Sequence, residues 1–148
     1  MERKNRTAIA FGSFDIIHPG HIRYLKGATR YGKLTVVVAR DRSIRILKGT
    51  DPVMDERARV EIVGAIRFVD RAVLGRRVGK WNDIYKVLLL FRPDTIVLGY
   101  DQKVDMGYLK EFLNKNRLRS RIVRLPPYRD DIFKSSKLKK LISESQLP

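Results

Sequence analysis

The sequence contains no cysteine, only two histidines and no long hydrophobic run. The missing cysteines exclude a disulfide framework, a thiolate metal site and a cysteine nucleophile, and they suit a reducing cytoplasm. The N-terminal residues lead into an apolar stretch of only Ala8 to Phe11, and the longest later apolar run is Val87 to Phe91. Both are too short for a signal peptide or a membrane span, so we expect a cytoplasmic protein with no membrane partner.

Acidic residues are scarce, with 16 Asp and Glu against 32 Lys and Arg, and the formal net charge is +16. A surface this basic attracts polyanions, nucleotides and phosphorylated metabolites without choosing among them. The basic residues are spread through the chain, apart from one local cluster of Lys134, Lys137, Lys139 and Lys140. From a length of 148 residues, of which 43% are hydrophobic, we expect one globular domain spanning residues 1–148.

Short runs rich in β-branched residues alternate with segments of helical hydrophobic spacing. The runs predict strands at Thr7 to Gly12, Leu34 to Ala39 and Thr95 to Gly99, with Phe68 to Leu74 and Arg121 to Leu125 as weaker candidates. The helical segments are Gly20 to Tyr31, Asp55 to Arg67, Asp83 to Phe91, Tyr108 to Asn116 and Ser135 to Ser143. This alternation predicts an α/β protein with a Rossmann-like, parallel five-stranded sheet and helices on both faces.

Two connections exceed the usual loop length: Arg40 to Met54 after the second strand and Pro126 to Lys134 after the fifth. In open parallel sheets, ligands bind at the carboxyl ends of the strands, where both loops should emerge. We therefore expect the chemistry of the protein at that edge of the sheet.

The most informative segment begins at Phe11, at the end of the first strand, and reads FGSFDIIHPGH. Pro19 suits the first turn of a helix because it lacks the N–H that would stay unpaired there. Both histidines then lie at a helix N-terminus, where free backbone N–H groups and the helix dipole favour an anion. Gly20 would let a phosphate approach the backbone, with His18 and His21 as hydrogen-bond donors. Alternatively, one histidine caps the helix and the other packs against the core.

This segment resembles the signature of the nucleotidyltransferase superfamily of cytidylyltransferases and adenylyltransferases, Gly-x-Phe-Asp-x-x-His-x-Gly-His after a first strand. Every fixed position is matched, by Gly12, Phe14, Asp15, His18, Gly20 and His21. The resemblance runs along nearly the whole chain. It implies that His18 and His21 are catalytic and that the turn containing Ser13 binds the nucleotide. Asp15 could help to hold a magnesium ion or orient a histidine, or it could simply cap the turn.

Further motifs extend the resemblance. Lys48 falls where these enzymes carry a catalytic, triphosphate-binding lysine, and Arg57 at the nucleotide-binding arginine that opens the next helix; without the upstream motif both would be interpreted as solvated charges. Arg129, followed by the pair Ser135-Ser136, resembles the motif that holds the β and γ phosphates at a helix N-terminus. Serine N-capping alone would also explain that pair.

The segment after the fourth strand, Gly99-Tyr100-Asp101-Gln102, departs from the Gly-Asp-Asp-Trp of glycerol-phosphate cytidylyltransferases and resembles that of archaeal-type FAD synthases, which adenylylate FMN. An ordinary capped turn would explain Gly99 but not Gln102. The resemblance therefore implies that these four residues bind the nucleotide and that AMP passes from ATP to FMN. The attack would be direct and in line, without a covalent intermediate, and would use Mg²⁺ or another divalent cation.

Two alternatives stay open. One is cytidylyl transfer from CTP to glycerol 3-phosphate or a similar phosphate ester, which shares the histidine motif. The other is a non-catalytic nucleic-acid-binding module, disfavoured because no recognised aromatic-plus-basic RNA motif is present. We thus expect ATP and a phosphorylated small molecule, FMN first, as partners. The family suggests a homodimer, and the residues leave the metal ligands unknown.

Overall fold

The protein is described here from a computed structural model that covers residues 5–77 and 79–145. Five parallel strands form one sheet in the order β3-β2-β1-β4-β5. The strands are β1 (Thr7–Gly12), β2 (Lys33–Val38), β3 (Arg71–Leu74), β4 (Thr95–Leu98) and β5 (Arg121–Arg124). The predicted parallel five-stranded sheet is confirmed. Because the strand order reverses between β1 and β4, a ligand is expected at the carboxyl ends of these two strands.

Six α-helices occur in the described ranges: α1 (Pro19–Ala28), α2 (Asp41–Lys48), α3 (Glu56–Gly64), α4 (Val87–Phe91), α5 (Met106–Lys115) and α6 (Ser135–Ser145). Two 3₁₀ turns, Thr29–Tyr31 and Trp81–Lys86, complete the fold. None of the helices in these ranges is long and apolar enough to cross a membrane.

The core lies on both faces of the sheet because successive strand residues point to opposite sides. Along β1, Ala8 and Ala10 pack in the cluster that includes Leu25 of α1 and Val63 of α3. Ile9 packs on the other face, in the cluster that includes residues of α4 and α5. The expected helices on both faces are therefore confirmed.

Three local expectations were wrong. The segment from Arg40 to Met54 is not all loop, because α2 occupies its first half and ends at Gly49, whose φ of 69° favours glycine. The helix expected from Asp83 to Phe91 is split into a 3₁₀ turn and the short α4. In the expected helix from Asp55 to Arg67, hydrophobic spacing only partly marks the buried face: Ile66 packs against the core, but Ile62 is 38% exposed and Arg59 is fully buried.

Candidate active site

The two histidines begin α1 together. His18 is the N-cap, and its Nδ1 accepts the N–H of Gly20 at 3.0 Å. The N–H of His18 donates to Nδ1 of His21 at 3.2 Å, which closes a capping box at the helix N-terminus. The ring centroids lie 3.8 Å apart. Both histidines therefore cap the helix and also stand together at the carboxyl end of β1.

These hydrogen bonds determine the tautomer of each imidazole. An Nδ1 that accepts a hydrogen bond carries no proton, so a neutral ring must carry its proton on Nε2. Burial lowers the pKa of His21 to about 3, helped by the charges of His18 and Lys48. Burial also lowers the pKa of His18, although Asp101 opposes the shift. At neutral pH both rings are thus uncharged, and each has one N–H donor that the cap does not use.

The two glycines of the motif serve the packing of aromatic rings. A Cβ on Gly20 would lie 2.7 Å from the His18 ring, and the N–H of Gly20 is already donated to that ring. The expectation that Gly20 admits a phosphate is therefore corrected, since it admits the imidazole. A Cβ on Gly12 would lie 2.7 Å from the ring of Phe14, which is buried and packs 5.4 Å from His21.

Asp15 is buried, with 4% exposure, and its carboxylate is fully engaged. It accepts the N–H groups of Val53 and Met54 at 2.8 and 2.9 Å and forms an ion pair with Lys139 of α6. Burial raises the pKa of Asp15, but these hydrogen bonds outweigh it and the pKa lies below the ordinary value. The sequence suggested magnesium binding, histidine orientation or a cap for Asp15. The structure shows that it joins the segment before α3 to α6.

Lys48, the last residue of α2, lies in the electrostatic neighbourhood of the histidine pair. Burial lowers the pKa of Lys48, and the positive charge of Lys139 lowers it further, while Asp101 and Asp15 oppose the shift. The positive charge of Lys48 therefore acts on His21 from the connection after β2, where the sequence predicted a triphosphate-binding lysine.

The N-terminus of α6 meets the β1–α1 turn. The hydroxyl of Ser135 donates to the carbonyl of Ile16 at 3.2 Å, and Ser136 is exposed. The first N–H groups of a helix have no partner within it, so this end of α6 can bind an anion. Arg129 has a φ of 46° and places its guanidinium 5.8 Å from the ring of Phe133, which stacks 6.2 Å from His18. The expected serine and arginine motif is therefore close to the histidines.

The segment Gly99 to Gln102 follows β4, which pairs with β1 on the side opposite to β2. The Gln102 amide accepts the N–H of Gly99 at 3.0 Å and donates to the carbonyl of Phe11. Arg124 of β5 donates to the carbonyls of Gly99 at 2.6 Å and Gln102 at 3.0 Å. These bonds explain Gln102 without any nucleotide, contrary to our interpretation of the sequence. Asp101 is exposed, and burial raises the pKa of Tyr100, so its phenol stays protonated at neutral pH.

Sequence reasoning missed Arg59 and named Arg57, whose role in nucleotide binding stays a prediction. Arg57 is exposed and has no hydrogen-bond or ion-pair partner in the part of the chain that the structure describes. Arg59 is 0% exposed and donates to the carbonyls of Ser13, Ala39 and Met54 and to the Asp41 carboxylate, at 2.7 to 2.9 Å. It thereby ties the ends of β1 and β2 to α2 and α3.

The sequence did carry a signal for Arg59. It occupies a position four residues before the buried Val63, so a charged residue stands on the face of α3 that packs inward. A buried charge is costly unless it is paired and hydrogen-bonded, which predicts a structural network around it.

The described residues do not form a resident metal site. Among them, no three His, Cys, Asp or Glu side chains come together in a way that could hold a metal ion. The Asp15 oxygens already contact two N–H groups and an ammonium group. This donor set does not fit the expectation that Asp15 binds magnesium.

Comparisons with known proteins identify the family of the chain. Residues 9–145 match the cytidylyltransferase-like family model. The chain is 43% identical to the FAD synthase of Thermoplasma acidophilum over 92% of this chain and 93% of that protein. It is 44% identical to the FAD synthase of Archaeoglobus profundus over 79% of this chain and 72% of that protein.

Solved structures show the same architecture. A crystal structure described as the lipopolysaccharide core biosynthesis protein from Thermoplasma volcanium matches with a TM-score of 0.76 and 41% identity, covering 83% of this chain and 98% of that one. The pantoate-beta-alanine ligase of Francisella tularensis has a TM-score of 0.59 at 12% identity, over 96% of this chain and 70% of that one, which is a likeness of fold alone. By its family match, its near full-length relatives and its histidine motif, this chain belongs to the cytidylyltransferase-like family.

Proposed function

We propose that this protein is an FMN adenylyltransferase, which transfers AMP from ATP to FMN and yields FAD and pyrophosphate. The observation that carries the proposal is the 43% identity to a FAD synthase over 92% of this chain and 93% of that protein. The histidine pair at the N-terminus of α1 supplies a chemical means for the same reaction.

The reaction is a direct in-line displacement at phosphorus. An oxygen of the FMN phosphate forms a bond to the α-phosphorus of ATP, the bond from that phosphorus to the bridging oxygen breaks, and pyrophosphate leaves. An ionised phosphate needs no general base, so catalysis consists of positioning and charge stabilisation. His18 and His21 donate their Nε2–H groups to α-phosphate oxygens as negative charge shifts in the transition state.

The capping bonds give these donors a fixed direction. Each ring is held at Nδ1 by a backbone N–H, at 3.0 Å for His18 and 3.2 Å for His21. Donors that are oriented before the substrate arrives need no reorganisation during the reaction, which is why such groups are effective in active sites.

Positively charged groups and the N-terminus of α6 bind the leaving pyrophosphate. The charge of Lys48 acts on His21, and the first N–H groups of α6, at Ser135 and Ser136, have no partner within that helix. The hydroxyl of Ser135 donates to Ile16, so the backbone of Ser135 is the group that is free for phosphate. The guanidinium of Arg129, which lies over the Phe133 ring, adds positive charge near the N-terminus of α6.

A divalent cation would be bound by the phosphates of the nucleotide and not by a resident site among the described residues. Mg²⁺ keeps several waters and commonly binds through substrate phosphates and few protein ligands. Such a cation would neutralise the triphosphate, and the chain's own residues bind the same phosphates from the protein side.

The relatives favour ATP and FMN over CTP and glycerol 3-phosphate, since three proteins that are 41–44% identical to this chain over most of its length are named FAD synthases. The choice of base rests on the segment Gly99 to Gln102. In this segment the Gln102 side chain is committed to Gly99 and Phe11, which leaves Tyr100 and Asp101 as the side chains available to a nucleotide.

The test compares two substrate pairs. The purified protein is incubated with ATP and FMN and, separately, with CTP and glycerol 3-phosphate, while FAD is measured by chromatography and pyrophosphate by a coupled assay. We expect FAD and pyrophosphate in equal amounts from the first pair only. Pyrophosphate from the second pair, without FAD from the first, would replace this proposal by the cytidylyl alternative.

Four further expectations from the sequence stay predictions: a single domain spanning residues 1–148, a homodimer, a cytoplasmic location and the absence of a nucleic-acid partner. Sedimentation would determine the oligomeric state. Titration with an oligonucleotide would test the last one, since a nucleic-acid-binding module shows an affinity that falls steeply with salt.

A further inference from the structure

Lys139 is held in the site by a buried carboxylate. Asp15 has an exposure of 4%, and it contacts the Lys139 ammonium while also accepting the N–H groups of Val53 and Met54. The Lys139 side chain is 35% exposed, so its position is open to a ligand. The buried carboxylate therefore holds the partly exposed ammonium group in place.

Two lysines interact with this carboxylate, Lys139 by direct contact and Lys48 electrostatically. Lys48 and Lys139 repel each other, and both interact with Asp15. The nearby cation Arg59 is paired with Asp41 at 2.7 Å, so it has its own counterion. The group of Lys48, Lys139 and Asp15 has one positive charge in excess, and the Asp101 carboxylate that also acts on Lys48 is exposed to solvent. The two histidines of the site stay neutral at pH 7.

The geometry of α6 directs Lys139 toward the N-terminus of that helix. Lys139 follows Ser135 by four residues, so the two side chains share one face, and helical side chains tilt toward the N-terminus. The contacts agree, because Ser135 donates to Ile16 while Lys139 pairs with Asp15, the preceding residue of the same turn.

We propose that Lys139 is a further phosphate-binding residue of the active site and that Asp15 positions it, so that Lys48 and Lys139 bind the departing pyrophosphate between them. The inference rests on the proposed function, whose leaving group it concerns. The competing explanation is structural: Lys139 merely neutralises Asp15 and thereby keeps the segment containing Val53 and Met54 in place.

The first experiment measures the affinity for inorganic pyrophosphate by calorimetry, without any turnover. Lys139→Met keeps the aliphatic stem and removes the charge. The control is Lys140→Met, the next residue on the same helix, whose side chain is 77% exposed and lies 4.0 Å from Glu144. We expect a loss of about 10- to 100-fold for Lys139→Met, the range of a charge-assisted hydrogen bond, and an unchanged affinity for the control. Equal affinities in the two variants would overturn the proposal.

The double variant Asp15→Asn Lys139→Met separates the two explanations. Its reference is Asp15→Asn, because in both proteins the amide leaves one acceptor oxygen for the two N–H groups of Val53 and Met54. If Lys139 only neutralises Asp15, the two proteins bind pyrophosphate equally and the proposal fails. If Lys139 binds phosphate, the double variant binds pyrophosphate more weakly than Asp15→Asn. Because it leaves no unpaired buried charge, the double variant also decides the question if Lys139→Met alone does not fold.

The same assay distinguishes this inference from the proposed function. Weakened pyrophosphate binding in the Lys139 variants supports the inference even if the wild-type protein makes no FAD from ATP and FMN. Conversely, FAD synthesis by the wild-type protein, with pyrophosphate binding unaffected by Lys139→Met, overturns the inference and leaves the function standing.

Discussion

The two nitrogens of His21 perform separable tasks, and a single substitution can remove one and keep the other. Nδ1 accepts the N–H of His18 at 3.2 Å and completes the helix cap, whereas Nε2–H is the donor assigned to the α-phosphate. In His21→Asn, the amide oxygen can take the place of Nδ1, but nothing replaces Nε2. His21→Ala removes both groups.

The expected magnitudes differ accordingly. Losing one transition-state donor costs about 10²- to 10³-fold in kcat, or roughly 2.7–4 kcal/mol. Losing a helix N-terminal cap interaction costs about 1 kcal/mol of stability, which lowers the Tm of a protein of this length by roughly 2–4 °C. We therefore expect both His21 variants to lose the same large factor in kcat, while only His21→Ala is measurably less stable.

FAD formation at saturating ATP and FMN gives kcat, and thermal unfolding gives the Tm of each variant. Wild-type turnover in a folded His21→Asn protein would remove the Nε2 donor from the mechanism. Equal destabilisation of the Asn and Ala variants would refute the tautomer derived from the hydrogen bonds.

Three further predictions concern the pH dependence of stability, the buried Arg59 and Lys48. The folded pKa of His21, about 3, lies below its unfolded value of 6.5, so its contribution to stability is complete above pH 6.5 and is lost as the pH falls toward 3. Urea unfolding between pH 7 and pH 5 should therefore show wild type losing more stability than His21→Asn, and parallel curves would contradict this. Arg59→Met leaves the Asp41 carboxylate and three carbonyls without their partner, and should cost about 3–5 kcal/mol in urea unfolding. The exposed control Arg57→Met should stay within about 0.5 kcal/mol, and similar losses in the two variants would refute the role of Arg59. Lys48→Ala should raise the KM for ATP more than the KM for FMN in initial-rate measurements. A raised KM for FMN alone would mean that Lys48 does not bind the phosphates of ATP.

Local sequence patterns were enough to predict the framework. Each of the strands β1 to β5 overlaps one of the five predicted runs, because buried parallel strands require a short and nearly continuous apolar segment. Pro19 predicts the start of α1, and the structure places it at N1, next to the N-cap His18. The position of the histidines at a helix N-terminus follows from these two facts. Such predictions succeed because neighbours in sequence determine them.

Some residues had a correct location and a wrong explanation. Gln102 was expected at the carboxyl end of β4, where it lies, but its amide bonds to Phe11 of β1. Gly20 was expected beside the histidines, but its missing Cβ makes room for His18. Sequence patterns indicate which edge of the sheet a residue reaches. They do not show which neighbour will occupy the space beside it.

Only the tertiary structure decided how the site is held together. Arg59 was not among the predicted site residues, yet it bonds to the ends of two strands and to Asp41. Asp15 and Lys139 lie at opposite ends of the chain and meet because α6 packs against the first turn. The partners of a buried charge depend on which elements pack around it. Hydrophobic periodicity carries no information about those pairs. The sequence by itself therefore determined the sheet and the position of the histidines, while the pairing of buried charges depended on how distant elements pack.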